Sequence, residues 1–148
     1  MAAYWKIDNV VVVQGAVHQA ALATVPCLIE VLLRCTRVAR PQVLELLVQI
    51  GSGEGSESEL AHGEIDLVDR CLRELSRGVA IYLHILESSS DPDERAFCVD
   101  LLGLSCRADG QLRERISWHL ARLRSEEISE GLQSLISSWF EELGPSLP

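Results

Sequence analysis

Histidines, cysteines and clustered carboxylates are the residues here with the chemistry to hold a metal, attack a substrate or move a proton. The four histidines, His18, His62, His84 and His119, form no i, i+4 pair and share no metal-ligand spacing with a pair of cysteines. The five cysteines, Cys27, Cys35, Cys71, Cys98 and Cys106, are an odd number with no C-x-x-C. Most lie on or beside apolar stripes, where a reduced cysteine acts as a small hydrophobe in a reducing compartment. Ser88-Ser89-Ser90 has no flanking glycines of the kind that make a nucleophile elbow. Gly51-Ser52-Gly53-Glu54-Gly55 is glycine-rich, but a phosphate loop needs a following Lys and Ser or Thr, and neither follows. No catalytic, cofactor-binding or metal-binding residue is assigned on this reading, and no cofactor is expected. The chain reads as a non-enzyme.

Charge is the stronger signal. The 148 residues carry 22 acidic and 13 basic side chains, a net charge of -9. From Glu54 to Asp69 stand six carboxylates (Glu54, Glu57, Glu59, Glu64, Asp66 and Asp69) with no Lys or Arg among them. The run fits either a solvated loop with the first turn of a helix, or an acidic docking patch for a basic protein. Net negative charge repels nucleic acid and anionic membrane, so neither is expected as a partner. Among the tryptophans, Trp139 lies on an apolar stripe and is expected in the core. Trp118 lies off the stripe of its helix, between Ile116 and Leu120, where an exposed ring is a frequent interface anchor.

The elements that must position these residues are helices. Hydrophobic residues make up 47% of the chain and aromatics 5%, so Leu, Val, Ile and Ala fill the core. Val17, Ala21, Val25, Leu28, Leu32 and Cys35 share one helical face, with Pro26 expected to kink the helix. Pro41 opens a second helix that sends Val43, Leu44, Leu47 and Val48 inward, and Gly51-Ser52-Gly53 ends it. Residues 51–59 read as a mobile loop with nothing to bury. One long helix follows, with the stripe Val68, Cys71, Leu72, Leu75, Val79, Leu83 and Leu86, and Gly78 marks a bend or a close contact.

Asp91-Pro92-Asp93-Glu94 is the clearest start signal: Asp91 caps, Pro92 takes the first helical position and Glu94 closes a capping box. That helix buries Phe97, Leu101 and Leu104 and ends near Cys106. Asp109 caps the next, which buries Leu112, Ile116, Leu120 and Leu123. Ser125-Glu126-Glu127 opens the last, whose stripe is Ile128, Leu132, Leu135, Ile136, Trp139 and Leu143, and Gly144-Pro145 stops it. Only Val10 to Val13 could be a strand. No apolar run is long enough to span a bilayer, and no signal peptide is recognisable at Met1 to Gln14, so a cytoplasmic location is expected.

Helix, turn, helix, repeated about three times, is the pattern of an α-solenoid. Val25-Pro26-Cys27-Leu28-Ile29 followed by Leu32-Leu33 resembles the first helix of a HEAT-type repeat. Asp91 to Ala96, running into Leu101-Leu102-Gly103, is similar to the turn and second helix of such a repeat, with Arg95 at the family's turn-proximal arginine. The stretch from Gln14-Gly15 to Gly51 resembles small bacterial HEAT-like proteins with an entry helix. The resemblance covers two of three pairs, and the pair from Asp109 to Leu143 matches in periodicity alone. It implies a single all-α domain over 1–148 of HEAT-like stacked antiparallel helix pairs, about three pairs plus an N-terminal entry helix. An irregular helical bundle is the alternative.

The family's fold implies protein binding through a concave face lined by second helices, while the charge run and the off-stripe ring make Glu54, Glu57, Glu59, Glu64, Asp66, Asp69 and Trp118 the expected partner-binding residues. Its sharper form is an immunity protein that neutralises a basic toxin from a competing bacterium. The alternatives are a HEAT-like DNA-repair glycosylase, which needs a basic concave face, and a structural scaffold subunit of a larger assembly. Should the acidic run be only a solvated face, Gln42, Glu45, Arg95 and Asp100 on the second helices are the next candidates.

Overall fold

The computed structural model describes residues 10–13, 16–55, 61, 66–126 and 129–144. Within them the chain is all-α, apart from three two-residue strands. Strands β1 (Val12–Val13), β2 (Ala16–Val17) and β3 (Glu54–Gly55) form a small sheet in the order β1-β2-β3. β1 runs antiparallel to β2 and pairs Val12 with Val17, while β2 runs parallel to β3 and pairs Ala16 with Glu54. The helices are α1 (Ala20–Leu32), α2 (Arg40–Ser52), α3 (Leu67–Ser76), α4 (Val79–Ser88), α5 (Pro92–Ala108), α6 (Gln111–Glu126) and α7 (Glu130–Leu143).

The centre of the fold is α5, which packs against α2, α3, α4, α6 and α7. Its sequence explains why. Leu101, Leu102, Gly103, Leu104, Ser105 and Cys106 are buried in succession. A helix apolar all round has to be covered on every side. The polar exception, the Ser105 hydroxyl, is satisfied locally by donating to the Leu101 carbonyl at 2.7 Å.

The start of α5 follows its sequence signal in part. Asp91 Oδ1 accepts from the backbone N–H groups of Asp93 (2.9 Å) and Glu94 (3.0 Å), with Pro92 at the first helical position. Glu94 does not close the expected capping box. Its Oε2 accepts from the Ser89 hydroxyl at 2.6 Å, and the Asp91 N–H donates to that same hydroxyl oxygen at 3.1 Å. Glu94 is only 3% exposed and also meets Arg40 at the first turn of α2, with Nη1 to Oε2 at 3.3 Å. The residue expected to finish a cap therefore joins two helices.

The expected long helix over Val68 to Leu86 is broken at Arg77-Gly78 into α3 and α4. The cause is steric. The fully buried Tyr82 sends its hydroxyl back to donate to the Leu75 carbonyl at 3.1 Å, which also accepts from the Gly78 N–H at 2.9 Å in the turn after α3. A Cβ on Gly78 would lie 2.3 Å from that hydroxyl oxygen, so glycine supplies room for the ring.

Other boundaries also shift. Val17 belongs to β2, and α1 begins at Ala20 rather than before it. Pro26 does lie inside α1. Gly51 does not end α2 but is buried within its last turn, where a Cβ would come within 2.8 Å of Leu75 and Leu104. Glu54–Gly55 is strand, so the expected loop is structured up to residue 55, and residues 56–60 lie outside the described residues. Ser125 and Glu126 belong to α6, and α7 is instead capped by Ser129, whose side chain accepts from the Leu132 N–H. Glu127 and Ile128 lie outside the described residues. Asp109 caps as expected, with Oδ1 accepting from the Gln111 N–H at 2.9 Å. Gly144 ends α7 with φ +72°, the left-handed geometry that favours glycine.

Candidate functional site

The described members of the acidic run are all exposed, and the helix that begins at its end is not uniformly acidic. Glu54 is on β3, Asp66 immediately precedes α3 and Asp69 is in its first turn, where a carboxylate favours the positive end of the helix. Glu57, Glu59 and Glu64 lie outside the described residues. Arg70 and Arg73 follow on that helix and Arg77 at its C-terminal cap, and Arg73 reaches Asp66 at 4.0 Å. These arginines line a groove of about 450 Å³ with Leu22, Pro26 and Glu74. Sequence reasoning missed this groove. Its trace is the i, i+3, i+7 spacing of the three arginines, in a chain whose only lysine is Lys6.

Trp118 stands where the sequence places it, 59% exposed on α6. The ring is held rather than loose. The Arg122 guanidinium lies over it, 5.4 Å from the ring centroid, and donates from Nη2 to Glu87 Oε1 at 3.3 Å. Glu87, in the last turn of α4, also stands 3.8 Å from His119 Nδ1. The acidic residues of α3 and this aromatic cluster sit on different helices, both packed against α5.

The connection between α1 and α2 adds a third exposed feature that the sequence reading passed over. Leu33 and Val38 are exposed there, Val38 to 85%, next to the exposed Val31 in the last turn of α1. Apolar periodicity finds buried faces and gives no sign of apolar residues left outside.

Trp139 is in the core, as expected, but with a specific seat. Its Nε1 donates to Asp100 Oδ1 at 2.8 Å, its ring lies against Gly103, and the Arg107 guanidinium is 5.1 Å from its centroid. Burial raises the Asp100 pKa, and the Trp139 N–H partly offsets that. Asp100 is thus committed to α7, which removes it from the set of second-helix candidates with Gln42, Glu45 and Arg95.

The cysteines divide by burial. Cys71, Cys98 and Cys106 are buried, and desolvation pushes the Cys98 thiol up to about 12 and the other two to about 11. Cys27 is exposed and Cys35 half-buried. Since the thiolate is the reactive form, a thiol reagent at pH 8 should label Cys27 fast and Cys35 more slowly. The three buried thiols should react only after unfolding. Mass spectrometry of the labelled protein checks this, and early labelling of Cys98 would contradict the packing of α5.

Among the described residues no group of three or more His, Cys, Asp or Glu is placed to hold a metal, and no helix is long and apolar enough to cross a membrane. No family model matches the chain, and no curated protein or solved structure matches it either.

Proposed function

We propose that this chain is a non-enzymatic protein-binding module of the cytoplasm. The observation that carries this reading is Trp118, an exposed ring held by Arg122, itself anchored to Glu87. Interface anchors are most often Trp, Tyr or Arg, and an anchor already ordered loses less side-chain freedom on binding. The exposed apolar residues at and beside the α1–α2 connection, Val31, Leu33 and Val38, support the same reading. So does the run of carboxylates, which favours a basic partner. The sharper form is an immunity protein that covers a basic toxin, supported by a net charge of -9. HEAT-like stacking of the helix pairs remains part of this proposal, on the motifs around Pro26 and Pro92.

Truncating the anchor tests the reading. Trp118→Ala should weaken binding of the partner by about 2 kcal/mol, a factor of about 30, with the melting temperature nearly unchanged. Trp118→Phe should keep much of the affinity. Reversing Glu64, Asp66 and Asp69 to Lys should instead slow association and reduce its salt dependence. Quantitative affinity capture from native extract reads all three variants side by side. Basic proteins retained by wild type and Trp118→Phe but lost by Trp118→Ala support the proposal. An identical set on every variant overturns it.

A further inference from the structure

We infer that the end of α1, with the connection to α2, is a weak self-association surface whose occupant is a second copy of this chain, related by a two-fold axis. This rests on the protein-binding reading and names what covers this end of the fold, on a surface that does not include Trp118.

The geometry sorts the residues around Leu32. Each residue of a helix is turned about 100° from the one before it. Helical backbone continues past Leu32: Leu33 is in the right-handed α region, and the Cys35 N–H reaches the Val31 carbonyl at 2.8 Å. Leu32 is buried, so Glu30 and Arg34, two places before and after it, are on the outward face, with Val31 and Leu33 on its two flanks. All four are exposed, and Glu30 and Arg34 pair at 3.1 Å with side chains 64% and 80% exposed. The turn that follows adds the exposed Arg37 and Val38.

That face is self-complementary, as a two-fold contact requires. Two copies of α1 set antiparallel, with the axis level with Leu32, place Glu30 of each copy opposite Arg34 of the other. Val31 then meets Val31 on one side of the axis, and Leu33 meets Leu33 on the other. The four charges alternate in sign. The Glu30–Arg34 pair within each copy stays intact, so each charge gains a second partner without losing its first. The apolar flanks leave water together.

The net charge of -9 opposes pairing of two copies, but it is unevenly placed. Glu30 is the only carboxylate between Asp8 and Glu45, and the same stretch holds Arg34, Arg37 and Arg40. Two acidic copies therefore meet at their least acidic segment, and at physiological salt their remaining charges are screened beyond about 8 Å. A basic partner gains nothing here, since three arginines face it against one carboxylate. The patch is one helical turn and a short loop, small against the roughly 1,000 Å² of a stable interface, so the association is weak.

Sedimentation equilibrium of the full chain, from micromolar to millimolar concentration, tests this. Wild type should pass from monomer to dimer. Glu30→Arg and Arg34→Glu each bring four like charges to the axis and should weaken dimerisation at least tenfold. An equimolar mixture of those two variants should form a heterodimer, because one supplies the arginines and the other the carboxylates. Val31→Ser/Leu33→Ser should also dissociate the dimer, with circular dichroism unchanged because both side chains are exposed. Trp118→Ala should dimerise as wild type does. A wild-type chain that stays monomeric to millimolar concentration overturns the inference and leaves the Trp118 reading standing. A dimer indifferent to both charge variants, a mixture of them that fails to pair, or a dimer lost with Trp118→Ala overturns it as well.

Discussion

Glu94→Ala should lower the unfolding free energy by about 3 kcal/mol, because it strands a guanidinium that has little water to turn to. Glu94 Oε2 accepts from both Ser89 Oγ (2.6 Å) and Arg40 Nη1 (3.3 Å), and the two side chains of the ion pair are 4% and 21% exposed. Arg40 Nε is buried with no hydrogen-bond partner among the described residues, so Arg40 gains little elsewhere when its carboxylate is removed. The loss also reaches the helix start, since the Ser89 hydroxyl that bonds Glu94 accepts from the Asp91 N–H. For a domain of this size, the melting temperature should fall by roughly 10 °C.

The pair need not be a net source of stability for that prediction to hold. Desolvating two charges costs about as much as their attraction returns, so breaking a buried pair is expensive while replacing both members is often not. Arg40→Met/Glu94→Leu should therefore be more stable than Glu94→Ala, although it carries one more substitution. Urea denaturation of the wild type, Glu94→Ala, Arg40→Met, Glu94→Leu and the Arg40→Met/Glu94→Leu double measures this. If the double loses the sum of the two single losses, the two residues act independently and the ion pair plays no part.

What could be read in the sequence follows from how local each cause is. The Asp91 cap, Pro92, the Asp109 cap and the Gly144 stop need only residues within one turn, and each is where the sequence puts it. The helical class follows from apolar spacing. Elements shaped by distant contacts were not legible. The break at Gly78 depends on where the Tyr82 ring lies, and the burial of Gly51 depends on Leu75 and Leu104. A stripe shows that one face is covered, whereas α5 is covered by five helices, which only the run Leu101 to Cys106 hints at. At the candidate sites, Trp118 was legible because it breaks its own helix's pattern. The arginine groove needed α1 beside α3, a neighbour relation that no spacing within α3 records.

Gly103→Ala and Gly131→Ala make the same chemical change in two helices and should move stability in opposite directions. By propensity alone each should gain up to about 1 kcal/mol, since alanine loses less backbone freedom than glycine in a helix. At Gly131, in the first turn of α7, a Cβ meets nothing closer than the Ser129 hydroxyl oxygen at 3.8 Å, so the gain should be realised. At Gly103 the Cβ would lie 2.2 Å from Cδ2 and 2.4 Å from Cε2 and Cε3 of Trp139. Those atoms belong to a rigid ring, and it has nowhere cheap to go. Its N–H is tied to Asp100 at 2.8 Å, and Arg107, which lies near the ring, bonds Glu142 of the same helix at 2.6 Å. Asp100, Gly103 and Arg107 stand at i, i+3 and i+7 of α5, so one helix face makes the whole seat. Moving the ring far enough to relieve the clash breaks the Asp100 bond, about 1 kcal/mol, and adds an overpacking cost of about 1–3 kcal/mol. The net loss should be about 2 kcal/mol despite the better propensity. Near-ultraviolet circular dichroism and tryptophan fluorescence should change with Gly103→Ala and stay the same with Gly131→Ala, because only the first displaces Trp139. A stabilised Gly103→Ala with an unchanged tryptophan signal would show that α7 does not seat its ring on α5.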